Sequence, residues 1–134
     1  MLAKTSAGGT CIAFPDVCLT PAPPAPAPVP IPYPNIGLDP TNTTFVPNVL
    51  ITCTPAHTIA TTMPVMTNGD NAGLATGVAS GTVMGPARCV TGAFTVIVGA
   101  MPLARLTSIT IQNNTNAPGM KIVPSVTNVL VLSP

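Results

Sequence analysis

Proline sets the first limit on what this chain can form. It recurs at short intervals along almost the whole sequence, and β-branched residues dominate the apolar positions between prolines. Proline inside a helix removes a backbone donor and clashes with the preceding turn, whereas β-branched side chains suit a pleated strand. A mainly β fold follows. The extreme case is "PAPPAPAPVPIPYP", Pro21 to Pro34. It is uncharged and greasy between its prolines, unlike a Gly/Ser linker or a charged disordered tail. In polyproline II form its 14 residues would span about 43 Å. That length suits a proline-rich strap packed over a small body.

Three runs read as strands: "NVLITC" (Asn48 to Cys53), "FTVIVG" (Phe94 to Gly99) and "NVLVLS" (Asn128 to Ser133). Each leads into a proline. Pro55 lies seven residues after Asn48, Pro102 seven after Thr95, and Pro134 six after Asn128. A degenerate repeat of strand and proline turn suits a body of approximate threefold symmetry built from one chain. Between the first two copies, Asn68-Gly69 marks a turn, and Gly73, Gly77, Gly81 and Gly85 recur at every fourth position. That spacing predicts one short helix from about Asn71 to Ser80, capped by Asp70, with a Gly-rich loop as the alternative. No Lys follows the glycines as a phosphate loop requires.

Charge is the next constraint. Only 5% of residues are charged and the net charge is +1, against about 25% charged in ordinary globular chains. Nothing here attracts nucleic acid or an anionic membrane. The mean hydropathy of +0.55 raises the question of a bilayer. The longest apolar run, Ala93 to Ala104, is short and broken by Pro102, while a spanning helix needs about 20 apolar residues. The N-terminus lacks the continuous apolar core of a secretory signal, so cytosolic synthesis is expected, with any export by another route. The length fits a single small domain, residues 1–134.

The inventory for catalysis is thin. His57 is the sole histidine, and Asp16, Asp39 and Asp70 are the sole carboxylate side chains, each beside turn residues. No acid–base pair suggests itself, and a non-enzyme is expected. A metal set is more plausible. Cys53 and His57 are separated by Thr54, Pro55 and Ala56, and Cys89 can approach from a turn. Thiolate plus imidazole is a zinc-type donor set that wants four ligands. The alternative is a small buried Cys53 beside a surface His57. A further reading, a secreted surface protein, draws on the sequons at Asn42 and Asn113 but lacks a signal segment.

"TVIVGAMPLAR" resembles the strand–turn signature of the PAAR family, named for a Pro-Ala-Ala-Arg motif; here it reads Pro102-Leu103-Ala104-Arg105. Shorter echoes stand at Pro86-Ala87-Arg88 and Pro55-Ala56-His57. "FPDVCLTPAPPAPAPVPIPYPNI", followed by "PNVL", "PAH", "ATT", "NGDNAG", "ATGVASGTVMGPAR" and "TGAFTV", resembles the PAAR-like domains associated with type VI secretion. The likeness runs from about Gly8 to Pro134. It implies a small conical β-domain that caps a trimeric VgrG-type spike, one tip per trimer, and aids envelope puncture and effector delivery. The alternative role is a zinc-stabilised adaptor that holds an effector on the spike. The resemblance also implies cytoplasmic residence before firing, export on the spike, and zinc near the apex. PAAR tips hold that zinc mostly with histidine plus one cysteine, so this chain would need Cys53 and Cys89 beside His57.

Overall fold

The computed structural model describes residues 1–24, 26–61 and 67–133. Among these described residues nine strands follow one another: β1 (Thr10–Thr20), β2 (Val29–Leu38), β3 (Val46–Ile51), β4 (Thr54–Ala56), β5 (Arg88–Cys89), β6 (Ala93–Val98), β7 (Met101–Leu103), β8 (Ile109–Gln112) and β9 (Ala117–Val123). Five form an antiparallel sheet in the order β2-β1-β9-β8-β5; β3-β4 and β6-β7 are separate hairpins. A single 3-10 turn, Asp39–Thr41, is the only helical element among the described residues. No helix there is long and apolar enough to cross a membrane.

The two hairpins are copies. β3-β4 pairs Val46 with Ala56, Leu50 with Pro55 and Ile51 with Thr54. β6-β7 pairs Ala93 with Leu103, Ile97 with Pro102 and Val98 with Met101. Every partner moves by 47 positions, Val46 to Ala93 and Ala56 to Leu103. Both turns place two successive residues at positive φ, Thr52 (52°) and Cys53 (64°) against Gly99 (59°) and Ala100 (66°). This is the type I′ geometry whose twist matches paired strands.

The third copy is made differently. The run at Asn128 to Ser133 is not a continuous strand; it forms one bridge, Leu130 to Leu2. Ala3 N–H donates to Val129 O (3.1 Å) and Val131 N–H to Met1 O (2.6 Å). The return segment is therefore the N-terminal Met1-Leu2-Ala3; Pro134 lies outside the described residues. Only the local pattern of the third copy was visible in sequence; its partner lies more than a hundred residues away.

A closed ring joins the three units. Lys4 N–H donates to Ala104 O (3.1 Å), Ala104 N–H to His57 O (2.8 Å), and His57 N–H to Lys4 O (3.0 Å). A second ring runs outside it: Ser6 N–H to Pro55 O (3.2 Å), Ile59 N–H to Pro102 O (3.1 Å) and Leu106 N–H to Leu2 O (2.8 Å). The motif prolines fit because this ring needs their carbonyls, and proline lacks only the donor. The core repeats the symmetry, with Ala3, Ala56 and Leu103 buried at equivalent points and Val131, Ile51 and Val98 packed around them.

Two expectations are corrected. The proline run is not a packed strap in polyproline II form. The described residues of its first part, 21–24 and 26–28, are largely exposed, and from Val29 onward it is β2, an edge strand. Leu19, opposite Pro30, turns its N–H away to Thr76 O (2.8 Å), and Val17, opposite Pro32, turns its carbonyl away to Val78 N–H (3.0 Å). Paired residues of this type face outward together. The nitrogens of Pro30 and Pro32 thus lie on the free edge, where no ladder bond is lost and foreign strands find no donor. The helix expected over 71–80 is absent; turns fill this stretch. Gly73 lies against Cys18, and an added Cβ would meet the Cys18 Cβ. The glycines thus mark close approach in a Gly-rich loop rather than a helical stripe.

Candidate docking face and buried polar centres

The repeated unit puts one large apolar side chain outside three times. Leu50, Ile97 and Leu130 occupy equivalent positions, opposite Pro55, Pro102 and Leu2. Their exposures are 60%, 57% and 65%. Scattered exposed leucines are ordinary, but three of near-equal exposure on one pseudo-threefold form a patterned surface. Neighbouring Val96 and Val129 pack inward on the core, whereas their counterpart on β3, Val49, is exposed.

The motif Pro102-Leu103-Ala104-Arg105 builds this frame. The Pro102 carbonyl and the Ala104 amide serve the two rings, and Leu103 is core. Arg105 N–H donates to Ser108 Oγ (3.1 Å), and its guanidinium Nη1 donates to Ser133 O (2.7 Å), holding the last described segment.

The zinc set expected at Cys53, His57 and Cys89 does not assemble. Cys53 is exposed in the β3-β4 turn, while Cys89 is buried on β5. His57 is fully buried, so the simpler alternative of a surface histidine and buried Cys53 is reversed as well. Its Nε2 lies 2.9 Å from Ser6 Oγ, and Asn42 Nδ2 donates to Nδ1 at 3.3 Å. Burial, only partly offset by Asp39, lowers its pKa from 6.5 to about 4. Nearby, Lys4 and Lys121 both ion-pair with the buried Asp39. This cationic pair sharing one carboxylate further disfavours protonation of His57.

A different group comes together. Asp16 and Cys18 on β1 and Asp70 in the loop after β4 are buried, with one ligand atom of each within 4.8 Å of the others. Cys18 Sγ faces Asp16 Oδ1 (3.5 Å) and Asp70 Oδ2 (3.7 Å). Asn35 Nδ2 donates to Asp16 Oδ2 (2.8 Å), Asn113 Nδ2 to Asp70 Oδ2 (2.9 Å), and Asn116 Nδ2 to Asp16 Oδ1. Burial first, then the two carboxylates, push the thiol up to about 12, and burial raises Asp70. Sequence reasoning took these aspartates for turn residues; Asp70 instead points inward, accepting from Met84 N–H (2.9 Å). Asp16-x-Cys18 on an alternating strand, with both side chains on one face, was the available signal.

The model of the Toxin PAAR-like domain family matches residues 9–119. The chain belongs to this family. No curated protein and no solved structure matches it. The PAAR-like match ends before Val126 to Val131 and begins after Met1 to Ala3, the residues that complete the third unit. The histidine-rich zinc set typical of PAAR tips does not fit this PAAR-like chain. Both nitrogens of its single histidine are engaged by protein groups, and the two expected cysteine partners lie elsewhere. The sequons are closed too, since Asn42 and Asn113 are buried.

Proposed function

We propose that this chain is a non-catalytic tip that caps a trimeric VgrG-type spike of a contractile injection system of the type VI class. One copy sits on each trimer. It is made in the cytoplasm and leaves on the spike when the sheath contracts, aiding envelope puncture and effector delivery. The observation that carries this reading is the triad Leu50, Ile97 and Leu130, which offers a threefold partner the same apolar contact three times. A threefold platform has one axial position, and a monomer with internal pseudo-threefold symmetry can fill it. A chain with 5% charged residues loses few solvated charges on docking.

The test is native mass measurement of the chain mixed with a trimeric spike. One chain per trimer, largely insensitive to moderate salt, is expected because apolar contact is weakly screened. Three chains per trimer, or release by modest salt, contradicts the reading. The adaptor role draws on one other observation. The exposed proline turn encloses an open apolar groove of about 290 Å³ lined by Pro21, Pro23, Pro24, Pro26, Pro28 and Ala75. An effector bound there with no affinity of the chain for the spike favours that role instead.

A further inference from the structure

The five-stranded sheet reverses the usual order of its two faces. An antiparallel sheet with one wet face normally turns its apolar side chains to the core. Here the inward positions hold small or polar groups: Cys11, Ala13, Asn35, Thr110, Gln112 and Lys121 are all buried. The large aliphatic side chains face out. Pairing sets Ile36 opposite Ile12, Ile12 opposite Met120, and Met120 opposite Ile109. At the β5 end the Val90 amide donates to Ile109 O (2.8 Å). One row of five apolar residues therefore crosses the sheet. Phe14 stands two positions along β1 from Ile12, and Leu38 and Ile122 two positions along from Ile36 and Met120, so strand alternation puts them on the same face. Apart from Ile12, these side chains are 44–62% exposed. Together they open on the order of 600 Å² of apolar surface, the upper end of what soluble monomers carry.

The chemistry of the face says what covers it. Specific protein interfaces carry about one hydrogen bond per 100–200 Å² and a polar rim. Within these strands, Thr10 and Arg88 are the only polar side chains that face this way. A second copy offers Arg88 no carboxylate, because Asp16, Asp39 and Asp70 are all buried. A lipid surface asks for neither hydrogen bonds nor a fixed register. It asks that exposed backbone groups be few, since hydrocarbon cannot pair with them. The β2 edge meets that demand: Pro30 and Pro32 have no N–H to offer, and Ile36 bonds in both directions with Asn68 (2.7 and 2.8 Å). Arg88 lies exposed at the β5 end, where its stem can follow the apolar surface while the guanidinium reaches a lipid phosphate.

We propose that the outer face of this sheet is a lipid-contact surface for neutral, zwitterionic bilayers. It lies flat on the bilayer, with Phe14 and the row from Ile36 to Ile109 entering the boundary between headgroups and acyl chains. Apolar burial drives the contact, so it needs no anionic lipid and is weakly screened by salt. The association is reversible and spans nothing. Leu50, Ile97 and Leu130 lie outside this sheet, and the inference does not rest on docking to a spike.

The full chain is floated with phosphatidylcholine vesicles in low and in high salt, and again with phosphatidylserine added. Flotation in both salts is expected, with no gain from phosphatidylserine. Ile109→Asp combined with Met120→Asp should lower the partition coefficient at least about ten-fold. Phe14→Ser, at a more exposed position, should lower it about five- to twenty-fold and decides the matter if the double variant does not fold. Leu50→Ser, Ile97→Ser and Leu130→Ser should float as the wild type does. Folded wild-type chain that stays behind when the vesicles float overturns the proposal. So does flotation that needs phosphatidylserine and is abolished by salt, or that is lost in the Leu50, Ile97 and Leu130 variants but kept in the sheet variants. Self-association of the free chain that Ile109→Asp with Met120→Asp abolishes also overturns it, and assigns the face to a second copy.

Discussion

Replacing Leu50, Ile97 and Leu130 by serine, singly and together, separates docking from folding. Fully burying a Leu or Ile side chain contributes about 1.5–3 kcal/mol. Roughly three-fifths of each surface is open, at 60%, 57% and 65%. Covering that part on a spike is therefore worth about 1–2 kcal/mol per side chain. Each single variant should lose on the order of 5- to 30-fold in affinity, and the three losses should be similar. The triple variant should lose about 3–5 kcal/mol if the sites add, a drop on the order of a hundred- to several-thousand-fold. Folding stability should change by about 1 kcal/mol or less per site, because these side chains are mostly outside the core. Titration of immobilised spike trimer, with thermal melts of each variant, supplies both readings. A folded triple variant that binds like the wild type, or one residue carrying the whole loss, refutes the equivalence of the three contacts.

Other consequences are independent. His57 is held neutral by burial, with Asp39, Lys4 and Lys121 as its charged neighbours. Unfolded chain takes up this proton near pH 6.5 and folded chain only near 4. Stability is thus complete above pH 6.5 and falls toward pH 4, by about 3 kcal/mol from this group; denaturant titrations should show the fall, and His57→Gln should flatten it. Asp39→Asn strands two buried ammonium groups and should destabilise by about 3–5 kcal/mol; an unchanged melting temperature rules out the ion cluster as a structural element. Pro30→Val with Pro32→Val restores edge donors and should cause concentration-dependent self-association by light scattering; a chain that stays monomeric contradicts the role given to these prolines.

Much of this was legible because repetition is visible in one dimension. The two β-rich runs ending at Pro55 and Pro102 align because each is a complete hairpin with local partners. The third could be read only by half, since Leu130 pairs with Leu2 and no local pattern records that. The alternation of the proline run suggests polyproline II. The same alternation puts proline nitrogens on one edge of a strand, and only the neighbours of Leu19 and Val17 decide between the two. The metal expectation failed through local reasoning: Cys53 and His57 are close in sequence, yet one lies in an exposed turn and the other in the buried ring. Asp16 and Asp70 were missed because an Asp beside turn residues usually serves the backbone. Here the loop folds Asp70 back onto β1.

Electron microscopy of the chain bound to a trimeric spike, at a resolution that shows side chains, tests the central claim most directly. The account predicts one chain on the spike axis, with Leu50, Ile97 and Leu130 each against the same surface of a different spike subunit. A chain attached off-axis to one subunit through the proline turn, with those three side chains still in solvent, contradicts it.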